Sequence, residues 1–160
     1  MEQNPYAKFL SGCDPLDVIA STAGHLKHLA ARMPEEQRAL RQPAGKWTAR
    51  EIIAHLADCE LVFSFRLRQT LADDHPTVQP FDQDRWAARY ANRDLDTSLA
   101  LFDSARRSNL QLIESTAPED RRRLVTHPER GTMTFWTLVE TMAGHDVNHL
   151  LQLERLATAP

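Results

Sequence analysis

The sequence predicts an all-α protein: a single four-helix bundle with a long crossover connection between its second and third helices. Apolar residues recur at helical spacing through most of the 160 residues, only five glycines interrupt them, and four separate helix starts can be read. One domain spanning 1–160 is long enough to bury a proper core. Helices of about twenty residues each are roughly 30 Å long, the usual span of a bundle.

The first helix begins at Asp14, an N-cap followed by Pro15 at the first helical position and Asp17 in the first turn. Ile19, Ala23, Leu26, Ala30 and Met33 form its apolar stripe, and Pro34 ends it. Thr48 and Glu51 make a Thr-x-x-Glu capping box for the second helix. Its inward face carries Ile52, Leu56, Cys59, Phe63 and Leu67, extended by Leu71, and Trp47 is placed to pack back onto its start. Residues 73–93 hold Pro76 and Pro80 among many polar residues, with a short helix expected at Asp82-Gln-Asp-Arg-Trp86. About twenty residues is long for a bundle connection; such segments cross over the bundle or cover a site. Asp94 caps the third helix, whose stripe is Leu95, Leu99, Phe102, Ala105 or Arg106, Asn109 and Ile113, and Pro118 with the run Glu119–Arg123 closes it. The arginine run reads as a solvated turn. Thr134 caps the last helix, which runs through Leu138, Met142, Val147, Leu150, Leu153 and Leu156.

Composition removes several function classes. A net charge of -3 gives no electrostatic reason for a nucleic-acid partner. Two cysteines, Cys13 and Cys59, are too few for a disulfide framework. No stretch approaches the roughly 18 apolar residues of a membrane helix. The start Met-Glu-Gln-Asn-Pro-Tyr-Ala-Lys lacks the basic and apolar regions of a signal peptide, so a cytoplasmic protein is expected.

The chemistry concentrates in the histidines. His145 and His149, four apart on one helix, lie one turn apart on the same side, where both rings can reach one metal ion at about 2.0–2.1 Å. Seven histidines in 160 residues make such a pair by chance about once in four chains, so spacing alone proves little. Apolar neighbours turn these rings inward, and His55, between Ile52 and Cys59, faces inward on another helix. Asp58, Glu60, Asp146 and Asn148 stand close enough in sequence to orient imidazoles. Asp58 shares the His55 face; Glu60 is a quarter turn off and reads as a surface charge. Either is a candidate general base. Arg66 and Arg106 fall near the helical stripes, where they can anchor an anion or simply line a core edge. His75 and His127 read as solvated loop residues, and Cys59 as a small core residue.

Two segments then acquire meaning together: Gly45-Lys-Trp-Thr-Ala-Arg-Glu-Ile-Ile-Ala-His-Leu-Ala-Asp-Cys-Glu60, and Gly131-Thr-Met-Thr-Phe followed by His145-Asp-Val-Asn-His149-Leu-Leu-Gln152. The pair resembles the DinB/YfiT-like superfamily of metalloenzymes over nearly the whole chain, Phe81 and Trp86 of the middle connection included. Trp-Thr…His-Leu…Glu with His-x-x-x-His is a specific combination; either half alone is not. The resemblance implies a crossover four-helix bundle, often a homodimer, with His55, His145 and His149 as ligands of a divalent metal. Zinc or nickel is typical of the family, with iron or manganese in some members, and an all-histidine set does not select among them. Characterised relatives include thiol-dependent transferases and isomerases that use a low-molecular-weight thiol, in which an open metal position activates the thiol or a water. The leading expectation is therefore a metal-dependent thiol S-transferase, with Asp58 or Glu60 assisting deprotonation and a small-molecule substrate entering beneath 73–93. Metal-dependent hydrolysis, or a non-catalytic bundle with a structural metal, stands as the alternative.

Overall fold

The computed structural model describes residues 4–41 and 45–158. Met1–Gln3, part of the stretch read for a signal peptide, lie outside the described residues. The elements are α1 (Ala7–Leu10), α2 (Pro15–Arg32), α3 (Glu35–Arg38), α4 (Ala49–Ala72), α5 (Gln83–Ala87), α6 (Leu95–Glu114), β1 (Leu124–His127), β2 (Gly131–Thr134) and α7 (Phe135–Thr158). Each expected start signal is in place. The Asp14 carboxylate accepts the Leu16 N–H, Asp94 that of Thr97, and Asp82 that of Arg85 at the head of the short helix. The Thr48–Glu51 capping box closes in both directions, and the Thr137 N–H donates to Thr134 Oγ1 at the head of α7. These caps satisfy donors that the first helical turn leaves unpaired.

Four long helices make the bundle. α2 packs on α6 and α7, and α4 packs on the same two, so the consecutive α2 and α4 lie across a diagonal. The apolar core divides into two clusters. One joins Leu26 and Leu29 of α2, and Met33 just past its end, to Ile52 and Leu56 of α4, Phe102 of α6 and Leu153 of α7. The other joins Ile19 to Phe63 and Leu67, Ile113, and Leu138 and Met142. The same end of the bundle therefore holds the start of α4 and the start of α6. These helices run parallel, and the 73–94 connection must return the whole bundle length, which is why it is long.

That crossover is pinned midway. Val78 N–H donates to Thr126 O and Thr126 N–H to Pro76 O, a parallel bridge onto the β1–β2 hairpin. The sequence reading contained neither this antiparallel hairpin, paired Leu124–Thr134 through His127–Gly131, nor the one-turn helices α1 and α3. The arginine run is only partly a solvated turn: Arg123 donates to Thr70 O and Arg121 covers the Trp136 ring.

A layer of buried polar side chains separates the two apolar clusters, and Arg106 is its centre. Its Nη1 donates to Ile19 O at 3.1 Å and Asp146 Oδ2 at 2.5 Å, and its Nη2 to Glu60 Oε2 at 2.7 Å and Asp146 Oδ1 at 3.2 Å. Its Nε donates to Glu60 Oε1 at 3.1 Å, so all five guanidinium donors are used. One residue from each long helix meets there: Ile19, Glu60, Arg106 and Asp146. Glu60, expected at the surface, is 1% exposed; an inward acid is tolerated because Arg106 and the Asn109 amide (2.8 Å) neutralise and hydrogen-bond it.

A candidate metal centre

His55, His145 and His149 meet beside that layer. His55 Nε2 lies 3.1 Å from His145 Nε2, and His149 Nε2 lies 3.1 Å from the same atom. The rings are buried at 0%, 5% and 6% exposure. Three ring nitrogens converging this way cannot satisfy one another, because each carries either one proton or one lone pair. Each of the two 3.1 Å spacings suits a pair of ligands on one ion. Ligands about 2.0–2.1 Å from a metal stand about 3.3 Å apart on a tetrahedron and about 2.9 Å apart at adjacent octahedral positions.

Burial sets the protonation state. It lowers the His55 pKa to about 3, with the His149 charge adding to the effect. Burial likewise pushes His145 well down, helped by His149 and His55, and lowers His149. All three are neutral at pH 7, the form in which imidazole is a ligand. His149 Nδ1 stands 3.0 Å from Gln152 Oε1; an amide oxygen only accepts, so Nδ1 carries the proton and Nε2 is left as the donor atom.

Aromatic rings wall the cluster. Trp47 lies 4.7 Å from the His55 ring and stacks near His149 at 6.3 Å, and Tyr6 meets His145 edge-on at 5.1 Å. Tyr6 gets there because α1 lies on α7 at Gly144, where an added Cβ would stand 2.6 Å from Tyr6 O. Tyr90, on the crossover, packs against both Trp47 and His55.

The candidate bases are placed differently. Asp58 is salt-bridged to Arg93 at 2.8 Å and faces Tyr90, whose hydroxyl pKa is raised by burial and then by Asp58. Glu60 belongs to Arg106. Asp146 also serves Arg106, so the carboxylates expected to orient imidazoles are engaged by arginines, and the amide of Gln152 orients a ring instead. Among the described residues, the group whose ligand atoms all lie within 4.8 Å of one another is His55, Cys59 and His145. Neither Asp58 nor Glu60 joins it, and His149, although 3.1 Å from His145, is not part of it either. Cys59 Sγ is 3.4 Å from His55 Nε2, a proximity foreshadowed by its position one turn on along the same helix face.

Two cavities adjoin the cluster. A larger one, about 520 Å³, touches His149 and is lined by Lys46, Trp47, Asp84, Gln152 and Arg155. A smaller one, about 70 Å³, touches His145 and Cys59. Tyr6 and Gln83 line both.

A helical bundle with a buried, histidine-rich donor cluster at one polar layer fits a metal-binding protein. The chain belongs to the DinB superfamily, whose pattern it matches over residues 19–153. It is 29% identical to a "putative metal-dependent hydrolase" of Oceanobacillus iheyensis, across 82% of this chain and 77% of that one. It is 27% identical to a protein of the same name from Bacillus cereus, across 76% and 72%. Its fold matches YfiT of Bacillus subtilis with a TM-score of 0.80 and 22% identity, covering 88% of this chain and 84% of that one. That protein is described as a "probable metal-dependent hydrolase with an unusual four-helix bundle topology".

Proposed function

We propose that this protein is a metal-dependent enzyme in which His55, His145 and His149 hold one divalent ion and present a small nucleophile to a substrate in the larger cavity. The two 3.1 Å contacts that His145 Nε2 makes, one with the neutral ring of His55 and one with that of His149, carry the reading. With three nitrogen ligands and a position left for substrate or co-substrate, a bound ion would lower the pKa of a thiol or a water. The chain's own groups supply the rest. Burial keeps the imidazoles unprotonated, Gln152 fixes the His149 tautomer, and Trp47, Tyr6 and Tyr90 keep bulk water from the cluster. Asp58 is engaged by Arg93 and Glu60 by Arg106, so neither is proposed as a base acting directly.

The co-substrate we favour is a low-molecular-weight thiol, making the reaction an S-transfer. The supporting observation is the size of the 520 Å³ cavity and the presence of Lys46 and Arg155 in its wall, suited to the carboxylates such thiols carry. Hydrolysis is the second reading, supported by the names of the relatives.

The test begins with elemental analysis of native-purified protein, where about one divalent ion per chain is expected, and with a His149→Ala variant, which should lose it. Calorimetry with candidate thiols on the metal-loaded protein, then conjugation and ester-hydrolysis assays, separates the two reactions. Full metal content in the His149→Ala protein would overturn the ligand assignment. Absence of thiol binding would leave hydrolysis.

A further inference from the structure

The 70 Å³ cavity is lined by Arg66 and Arg130 and by the buried His127, opposite His145, Cys59 and Phe63. Arg66 is 8% exposed. Among the described residues it has no ion pair: Nη2 donates to Gln79 O at 2.7 Å, and Nε is buried without a partner. Glu129 is the acid whose field reaches it, but Glu129 is exposed and forms no ion pair with it. Arg130 is likewise without an ion pair among the described residues. His127, expected in solvent, is 6% exposed, and its Nδ1 accepts the Glu129 N–H at 3.2 Å, which leaves the proton on Nε2 as a donor.

The same chain shows what a structural buried arginine looks like. Arg106 uses all five donors and has two carboxylates. Arg66 uses one donor and has none, and an uncompensated buried cation is costly to keep. Burial and the neighbouring Arg130 both lower the Arg66 pKa, which is the strain an anion would relieve. A volume of about 70 Å³ matches roughly two waters at about 30 Å³ each, room for a carboxylate but not for a whole substrate.

We propose that this cavity is a carboxylate-binding pocket, in which Arg66, with Arg130 and His127 beside it, holds the acid group of the substrate next to the histidine cluster. The body of a carboxylic-acid substrate would pass Tyr6 and Gln83 into the larger cavity. The role in the reaction rests on the metal reading above; the binding of the carboxylate does not.

Calorimetric titration of propanoate and its neutral isostere propanamide tests this, on protein as purified and after stripping with a chelator. Propanoate should bind in both states, and propanamide at least about tenfold more weakly, the loss of roughly one charge-assisted hydrogen bond. Arg66→Met should erase that preference while metal content stays unchanged and the melting temperature does not fall; Arg66→Lys, which keeps the charge, should retain part of it. No propanoate binding, equal binding of the two ligands, or a preference untouched by Arg66→Met overturns the pocket. Propanoate binding that vanishes with the metal and ignores Arg66→Met assigns the anion to the ion and also overturns it. Metal-free protein that binds propanoate through Arg66 keeps the pocket even if the metal reading fails.

Discussion

Two polar clusters are buried side by side in this bundle, and they are built on opposite rules. Around Arg106 every donor has an acceptor and every charge a partner. Around His145 the ring nitrogens of His55 and His149 both approach the same Nε2, and no acidic side chain is hydrogen-bonded there. The first arrangement is complete without a ligand and the second is not. The contrast separates what holds the helices together from what is free to do chemistry, although Asp146 and His145 are adjacent in the chain.

Breaking the complete cluster should do the most damage. Arg106→Ala strands Glu60 and Asp146 as unpaired buried carboxylates and removes a side chain that bonds to all three other long helices. The expected loss is about 3–5 kcal/mol in urea unfolding of the metal-free protein. A loss below about 1 kcal/mol would mean that the network contributes little to the bundle. His149→Ala on the same metal-free protein should be far milder, since it relieves a crowded set of lone pairs.

The incomplete cluster should instead reveal itself through pH. Burial holds the folded His55 pKa at about 3 while the unfolded ring titrates near its ordinary value, about 6.5. Below that value the unfolded chain binds the proton and the folded chain does not. Stability is therefore fully present above about pH 6.5 and is lost as the pH falls toward 3. For His55 the loss at pH 5 is about 2 kcal/mol, at about 1.4 kcal/mol for each pH unit below the ordinary value. His145 and His149 shift in the same direction and add to it. Chemical denaturation of the metal-free protein between pH 5 and 8 measures the slope; a flat profile would show that the rings are hydrated.

What the sequence revealed and what it hid follow from the range of each interaction. Asp14, Thr48 with Glu51, Asp94 and Thr134 announced helix starts because a cap is made within four residues. His145 and His149 were readable as a pair because one helix fixes their relation, and His55 joined them through its inward phase. The burial of Glu60 was not readable, because its partner Arg106 comes 46 residues later on another helix. The hairpin escaped because four-residue strands are too short to show alternation. Arg66 and Arg106 looked alike on their helical stripes; only the fold shows one saturated and the other not.

Cys59 stands between the two clusters and gives the smallest and most discriminating test. Its sulfur is close enough to His55 and His145 to form a three-donor group with them. Burial, reinforced by Asp58 and Asp146, pushes its thiol pKa up and so opposes the thiolate form that a metal requires. We therefore expect Cys59→Ala to behave as the trimming of a small core side chain. It should cost about 1 kcal/mol, leave metal stoichiometry unchanged and weaken affinity by less than about threefold. Cobalt substitution reads the alternative directly, because a thiolate ligand adds an intense near-ultraviolet charge-transfer band that imidazoles do not. If the parent protein shows that band and Cys59→Ala lacks it, the fourth position is filled from within, and a co-substrate must displace Cys59 before it can bind.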